Sequence, residues 1–159
     1  QIDFLLENKR FSDYNTIFYG ILLKHFEAHP QLSALDIGGG HESIAVQEMM
    51  AQFPYLTAIN VDLFAENTAF SRQGNAANLP IESASIDVVV SVNCVSRFLI
   101  SLPPEGKIMA GEVARVLKPN GLVFLFPSFD LRHVSSDLEA VIGIYGKNTY
   151  ASVHRKVQG

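Results

Sequence analysis

Three consecutive glycines, Gly38, Gly39 and Gly40, follow the apolar run from Leu32 to Ile37 and precede a segment with helical spacing. Glycine adopts backbone angles closed to other residues and lets a ligand approach the main chain, while the first amides of the following helix are free to meet it. A strand, a glycine loop and a helix in that order form a candidate nucleotide-binding turn, although a tight turn that holds no ligand has the same residues. Asp62 closes the next apolar run, Leu56 to Val61. Its interval from Gly40 is close to the ~20 residues at which an acid reaches ribose hydroxyls in nucleotide-binding α/β folds. A carboxylate there accepts two hydroxyl hydrogen bonds, whereas an isolated Asp ending a strand is simply solvated. Loop and acid together favour ribose binding.

The remaining reactive side chains are assigned no role in catalysis. Cys94 is the only cysteine, so the chain builds neither an intrachain disulfide nor a thiolate-rich metal site, and the thiol reads as inert and partly buried. His41, His133 and His154 are bases by type, yet each reads more simply as a surface or packing histidine. No metal triad is visible.

The elements that position the loop and the acid follow from periodicity. Apolar residues Ile17, Phe18, Ile21, Leu22 and Phe26 predict an amphipathic leading helix over Phe11 to Ala28, before Pro30. Leu32 to Ile37 predicts a buried parallel strand, and Ser43 to Phe53 a helix closed by Pro54. Leu56 to Val61 predicts the second strand, with a short helix or loop over Asn67 to Ser71 before Gln73. The β-branched run Ile86 to Val92 suits a central strand. Pro103 and Pro104 open a helix through Met109, Val113 and Val116, stopped by the turn Pro119-Asn120-Gly121, and Leu122 to Phe126 is a further buried strand. Ala140 to Tyr145 and Thr149 to Val157, separated by Gly146-Lys147-Asn148, read as a hairpin. Alternation of this kind implies an α/β fold: a Rossmann-like, doubly wound, mostly parallel sheet in three layers, with a C-terminal antiparallel hairpin at one edge.

With 159 residues, the chain has the length of one domain able to bury a core. Expected within it are a leading helical segment (1–30), a ligand-binding core (31–127) and the terminal hairpin (128–159). Hydrophobic residues at 48% and charged residues at 18% exclude a largely disordered chain. The net charge of -4 provides no global positive field, which disfavours nucleic acid as a partner. No apolar stretch approaches the ~20 residues of a membrane span, and the residues around Asp3 and Glu7 lack a basic-then-apolar leader pattern. A cytoplasmic location is expected. Gln1 stands where Met would open a natural chain, so nothing is argued from the amino end.

An ordered set of motifs carries a family resemblance. Ala34-Leu35-Asp36-Ile37-Gly38-Gly39-Gly40 resembles the first motif of class I S-adenosylmethionine-dependent methyltransferases, and Val61-Asp62-Leu63 their second. Gly74-Asn75-Ala76 with Leu79-Pro80 is similar to their adenine segment, Ser85 to Ser91 to their fourth strand, and Glu112 to Gly121 to the helix and turn before their fifth. The resemblance implies S-adenosylmethionine as methyl donor and S-adenosylhomocysteine as product. It also implies that Asp36 orients the loop and the methionine amino group, that Asp62 with neighbouring Leu63 holds the ribose, and that Asn75 and Ala76 border the adenine. Asn93 and Cys94 are expected at the end of strand four near the transferred methyl.

Two departures from the pattern matter. Glu42 stands where the family usually has a further glycine; it is expected in the first turn of the helix, facing water, where the helix dipole favours a carboxylate. The stretch between Phe126 and Ala140 is short for the family's usual helix and substrate insertions. The resemblance implies methyl transfer, and the negative charge balance favours a small molecule or a protein as the acceptor. A methyltransferase-like interaction module without catalysis is the first rival; the second is an NAD-dependent oxidoreductase, whose fingerprint wants glycine or alanine where Ser43 stands. Acceptor, catalytic residues and oligomeric state are not legible.

Overall fold

In the computed structural model, residues 24–29, 31–146 and 149–157 are described. Most of the expected leading helix, and the turn residues Lys147 and Asn148, lie outside them; residues 24–28 are helical. Strand β1 (Ser33–Ile37) leads through the glycine loop into helix α1 (Ile44–Gln52), followed by β2 (Thr57–Asp62), β3 (Ser71–Gln73) and β4 (Ile86–Val92). Helices α2 (Val95–Ser101) and α3 (Pro103–Val116) come next, then β5 (Leu117–Phe126), a 3-10 turn (Leu131–His133), β6 (Leu138–Gly146) and β7 (Thr149–Lys156).

The seven strands form one sheet in the order β3-β2-β1-β4-β5-β7-β6. Strands β1 to β5 pair in parallel, while β7 runs antiparallel between β5 and β6. This is the expected mostly parallel sheet with a terminal hairpin. Because strand side chains alternate, each strand supplies both faces. Ala34, Val88, Val90 and Phe124 pack with Ala45, Val46 and Met49 of α1 and with Phe26. On the other face, Leu35, Ile37, Val89 and Val123 pack with Val95 and Leu99 of α2 and Met109 and Val113 of α3. Helices thus cover both faces, and the near-continuous apolar runs of β1 and β4 are what that double burial demands.

Three details differ from the sequence expectations. The segment before Gln73 forms β3, a three-residue edge strand that docks on β2 through Asn60↔Ser71 to Asp62↔Gln73. A seven-residue helix, α2, intervenes between β4 and α3. Strand β5 begins at Leu117, ahead of the expected turn, which becomes an irregularity inside it. Leu117 pairs with Ile86, pairing resumes at Val88↔Leu122, and Asn120 between them adopts φ 68°.

Candidate functional site

The sheet order reverses direction at β1, whose two neighbours are β2 and β4, and the glycine loop opens at its carboxyl end. Ligands in open α/β sheets bind at such a switch point. Gly38 (φ 73°) and Gly40 (φ 89°) use left-handed backbone angles that side chains resist. Gly39 is required by proximity: a methyl group on its α-carbon would overlap the Asn60 and Asp36 side chains.

Strand β2 supports the loop along its length. Gly38 N–H donates to Val61 O (2.8 Å), Gly39 N–H to Asn60 Oδ1 (2.8 Å) and Gly40 N–H to Asp62 Oδ2 (3.0 Å). Asn60 also donates through Nδ2 to Gly40 O (2.8 Å) and Ser43 Oγ (3.0 Å). The other carboxylate oxygen of Asp62, Oδ1, accepts Phe64 N–H at 2.9 Å.

Beside the loop lies a cleft of about 110 Å³ that opens to solvent. Its walls include Gly38, Asp62, Leu63, Asn75 and Ala76, together with Val61, Phe64, Gly74, Cys94, Phe98 and Met109. Five of the nine residues expected to bind the cofactor therefore meet at one surface. The other four stand off its wall. Asp36 is buried beneath the loop, in register with Asn60 on β2 and Val90 on β4. Gly39 and Gly40 shape the turn. Asn93 is exposed and adopts φ 55°; its Oδ1 accepts Arg97 Nε–H at 3.1 Å, so Cys94 is the residue of this pair that faces the cleft.

The comparisons with known proteins bear on what such a cleft serves. The family model described as a methyltransferase domain matches residues 35–125, more than half of the chain. This chain belongs to the methyltransferase domain family. Its cofactor is S-adenosylmethionine, and the nicotinamide alternative is thereby set aside. Similar folds include a S-adenosylmethionine-dependent methyltransferase from Methanosarcina mazei (TM-score 0.65, 16% identity, 86% of this chain and 98% of that one). The YcgJ protein of Bacillus subtilis aligns at TM-score 0.61 and 17% identity, over 91% of this chain and 100% of that one. A putative S-adenosylmethionine-dependent methyltransferase from Methanococcus maripaludis aligns at TM-score 0.60 and 15% identity, over 97% and 90% of the two chains. No curated protein matches the chain.

The residues of this methyltransferase domain suit such a cofactor. Each Asp62 oxygen spends one lone pair on a backbone amide and keeps another for a hydroxyl. Leu63, Ala76, Phe98 and Met109 offer the apolar walls that a purine ring needs. Asn75 Oδ1 accepts Ala77 N–H at 2.8 Å, which tightens the turn and leaves one lone pair and both Nδ2 protons for a ligand.

Glu42 lies outside the helix, correcting the expectation of a first-turn position: Ser43 is the residue before α1 and Glu42 precedes it. Its side chain is exposed as expected, and its backbone carbonyl accepts Gln47 Nε2–H at 2.8 Å.

Glu112 and Arg115 belong to the motif before β5, yet no task for them is legible in the sequence. In the structure they fasten the segment that follows Asn75 and Ala76. Arg115 donates to Glu112 at 2.6 Å through Nε and at 3.1 Å through one Nη, and its two Nη groups reach Ile81 O (2.9 Å) and Leu79 O (3.1 Å). Glu112 Oε1 accepts Leu79 N–H at 2.8 Å. The Arg115 hydrogen bond holds the Glu112 carboxyl below the usual range; burial opposes this, and the Leu79 amide reinforces it. Asn60 was missed altogether. Its available signal was a polar residue in an apolar strand, two positions before Asp62.

Proposed function

We propose that this domain transfers the methyl group of S-adenosylmethionine to a small-molecule or protein acceptor in the cytoplasm. The observation that carries this reading is the meeting, at one cleft, of residues from separate motifs: Gly38 after β1, Asp62 and Leu63 at the end of β2, and Asn75 and Ala76 beyond β3. When bound, the cofactor supplies a sulfonium-activated methyl. The protein's part is placement, because orienting two reactants for in-line attack accounts for much of the acceleration of such a step. Asp62 holds the ribose, with Leu63 packed beside it, and Asn75 and Ala76 border the adenine. Gly38, Gly39 and Gly40 shape the loop over Asp36, while Cys94 and Asn93 bracket the carboxyl end of β4 where an acceptor enters.

Charge favours the acceptor classes named: at -4 overall, the chain is poorly suited to gather a phosphate backbone. Among the described residues no helix is long and apolar enough to cross a membrane. The test is transfer of isotope-labelled methyl from S-adenosylmethionine into fractionated cell extract. Label is expected in the small-molecule or protein fraction; label confined to nucleic acid would overturn the acceptor assignment.

A further inference from the structure

Asn60 is wholly buried in the middle of β2, yet it uses both amide protons and its oxygen on a loop 20 residues earlier in the chain. A buried primary amide is costly unless its groups are paired, so this placement has a task. The directions of the bonds fix its orientation: Gly39 offers a donor, so Oδ1 must face it, and Gly40 O offers an acceptor, so Nδ2 must face that. The third bond, from Nδ2 to Ser43 Oγ, reaches the residue at φ 54° where the loop turns into α1. One side chain thus spans the loop from Gly39 to its junction with the helix. Its own backbone N–H is tied to Phe70 O at 2.8 Å, so the anchor is fixed to the sheet as well.

We infer that Asn60 is a positioning residue that sets the glycine loop in its ligand-receiving shape before any cofactor arrives. The backbone amides of Gly38, Gly39 and Gly40 are all engaged by β2, so the loop presents a finished surface and does not need the ligand to satisfy its donors. A loop formed in advance spares the ordering cost that binding would otherwise carry. The steric relation runs the same way: the Asn60 side chain occupies the space that a side chain at position 39 would need. Asn60 touches neither cofactor nor acceptor in this account and acts through Gly39, Gly40 and Ser43. The inference rests on the cofactor reading above only for the ligand used to test it.

The test has two parts. In the ligand-free wild-type protein, hydrogen exchange followed by NMR should show the Gly39 amide slowed at least about tenfold relative to an unstructured glycine, with little further change on adding S-adenosylhomocysteine. A Gly39 amide that exchanges freely until ligand is added would overturn the inference. In Asn60→Ala, or in Asn60→Ser if the first does not fold, that protection should be lost and S-adenosylhomocysteine affinity should fall at least tenfold. The affinity is measured at a temperature where the variant remains folded. A variant with a lowered melting temperature but unchanged affinity would show that Asn60 merely stabilises the fold, and would also overturn it. If the wild type fails to bind S-adenosylhomocysteine, the cofactor reading fails, and the ligand-free exchange still decides whether the loop is preformed.

Discussion

Asp62 reaches back across the sheet to Gly40, its Oδ2 accepting the Gly40 amide at 3.0 Å, and so joins the two sequence motifs that first suggested a nucleotide site. The carboxylate therefore does two things at once: it closes the loop, and it presents its remaining lone pairs to the cleft. Asp62→Ala should weaken S-adenosylhomocysteine binding at least tenfold, since two charge-assisted hydroxyl bonds worth about 1.5 to 3 kcal/mol each are lost. The fold should survive, because six other strands and both helical layers are untouched. Calorimetry checks this, and an unchanged dissociation constant would refute the ribose assignment.

Glu42 tests the departure from the family pattern. Its exposure lets water screen the charge, so Glu42→Gln should shift cofactor affinity less than fivefold, under about 1 kcal/mol. A hundredfold gain in the same titration would show that Glu42 suppresses binding and would favour the interaction-module reading.

Arg115 holds the turn beyond Asn75 through carbonyls that a point charge on a flexible stem cannot reach together. Arg115→Ala should destabilise the domain by about 1 to 3 kcal/mol, read as a lowered urea midpoint, by leaving Glu112, Leu79 O and Ile81 O short of a partner. Arg115→Lys should recover less than half of that loss, because lysine lacks the planar fork. Full recovery would assign the effect to charge alone.

His154 supplies a pH dependence. It is buried on β7, and its Nε2 accepts Leu131 N–H at 3.2 Å, so the neutral ring carries its proton on Nδ1. Burial pushes its pKa below the usual histidine value, with Asp130 pulling upward and Arg132 downward. The folded protein therefore binds this proton less readily than the unfolded chain. Its stability contribution is complete above the ordinary histidine pKa, about 6.5, and is lost as pH falls from there toward the lowered folded value. His154→Gln should flatten the stability profile between about pH 5 and 7, as measured by denaturant midpoints. Parallel profiles for the two proteins would exclude the histidine as their cause.

How far the sequence carried these conclusions differs by element. Strand β4 was legible because Val88, Val89 and Val90 are β-branched and face helices on both sides of the sheet, which leaves no polar alternation to confuse the reading. Strand β3 was not legible, because three residues, two of them exposed, carry no periodicity. Helix α2 was hidden for a related reason: it is short, and Cys94 before it makes no side-chain cap. At the site, Asp62 and the glycines announce themselves by type and spacing, whereas Asn60 acquires meaning only when the loop folds over it. Asn93 is less direct: its place at the end of β4 suggested cofactor contact, and in the structure it is exposed and stands off the cleft wall, its Oδ1 accepting Arg97 Nε–H.

The central claim is that the cleft between the glycine loop and the turn after β3 holds S-adenosylmethionine, and isothermal calorimetry of the wild-type chain against S-adenosylhomocysteine and NAD tests it most directly. S-adenosylhomocysteine should bind with a dissociation constant in the micromolar range or tighter, corresponding to about -8 kcal/mol or better, and NAD should bind at least tenfold more weakly. No binding of S-adenosylhomocysteine even at millimolar concentration, or a preference for NAD, would contradict the account.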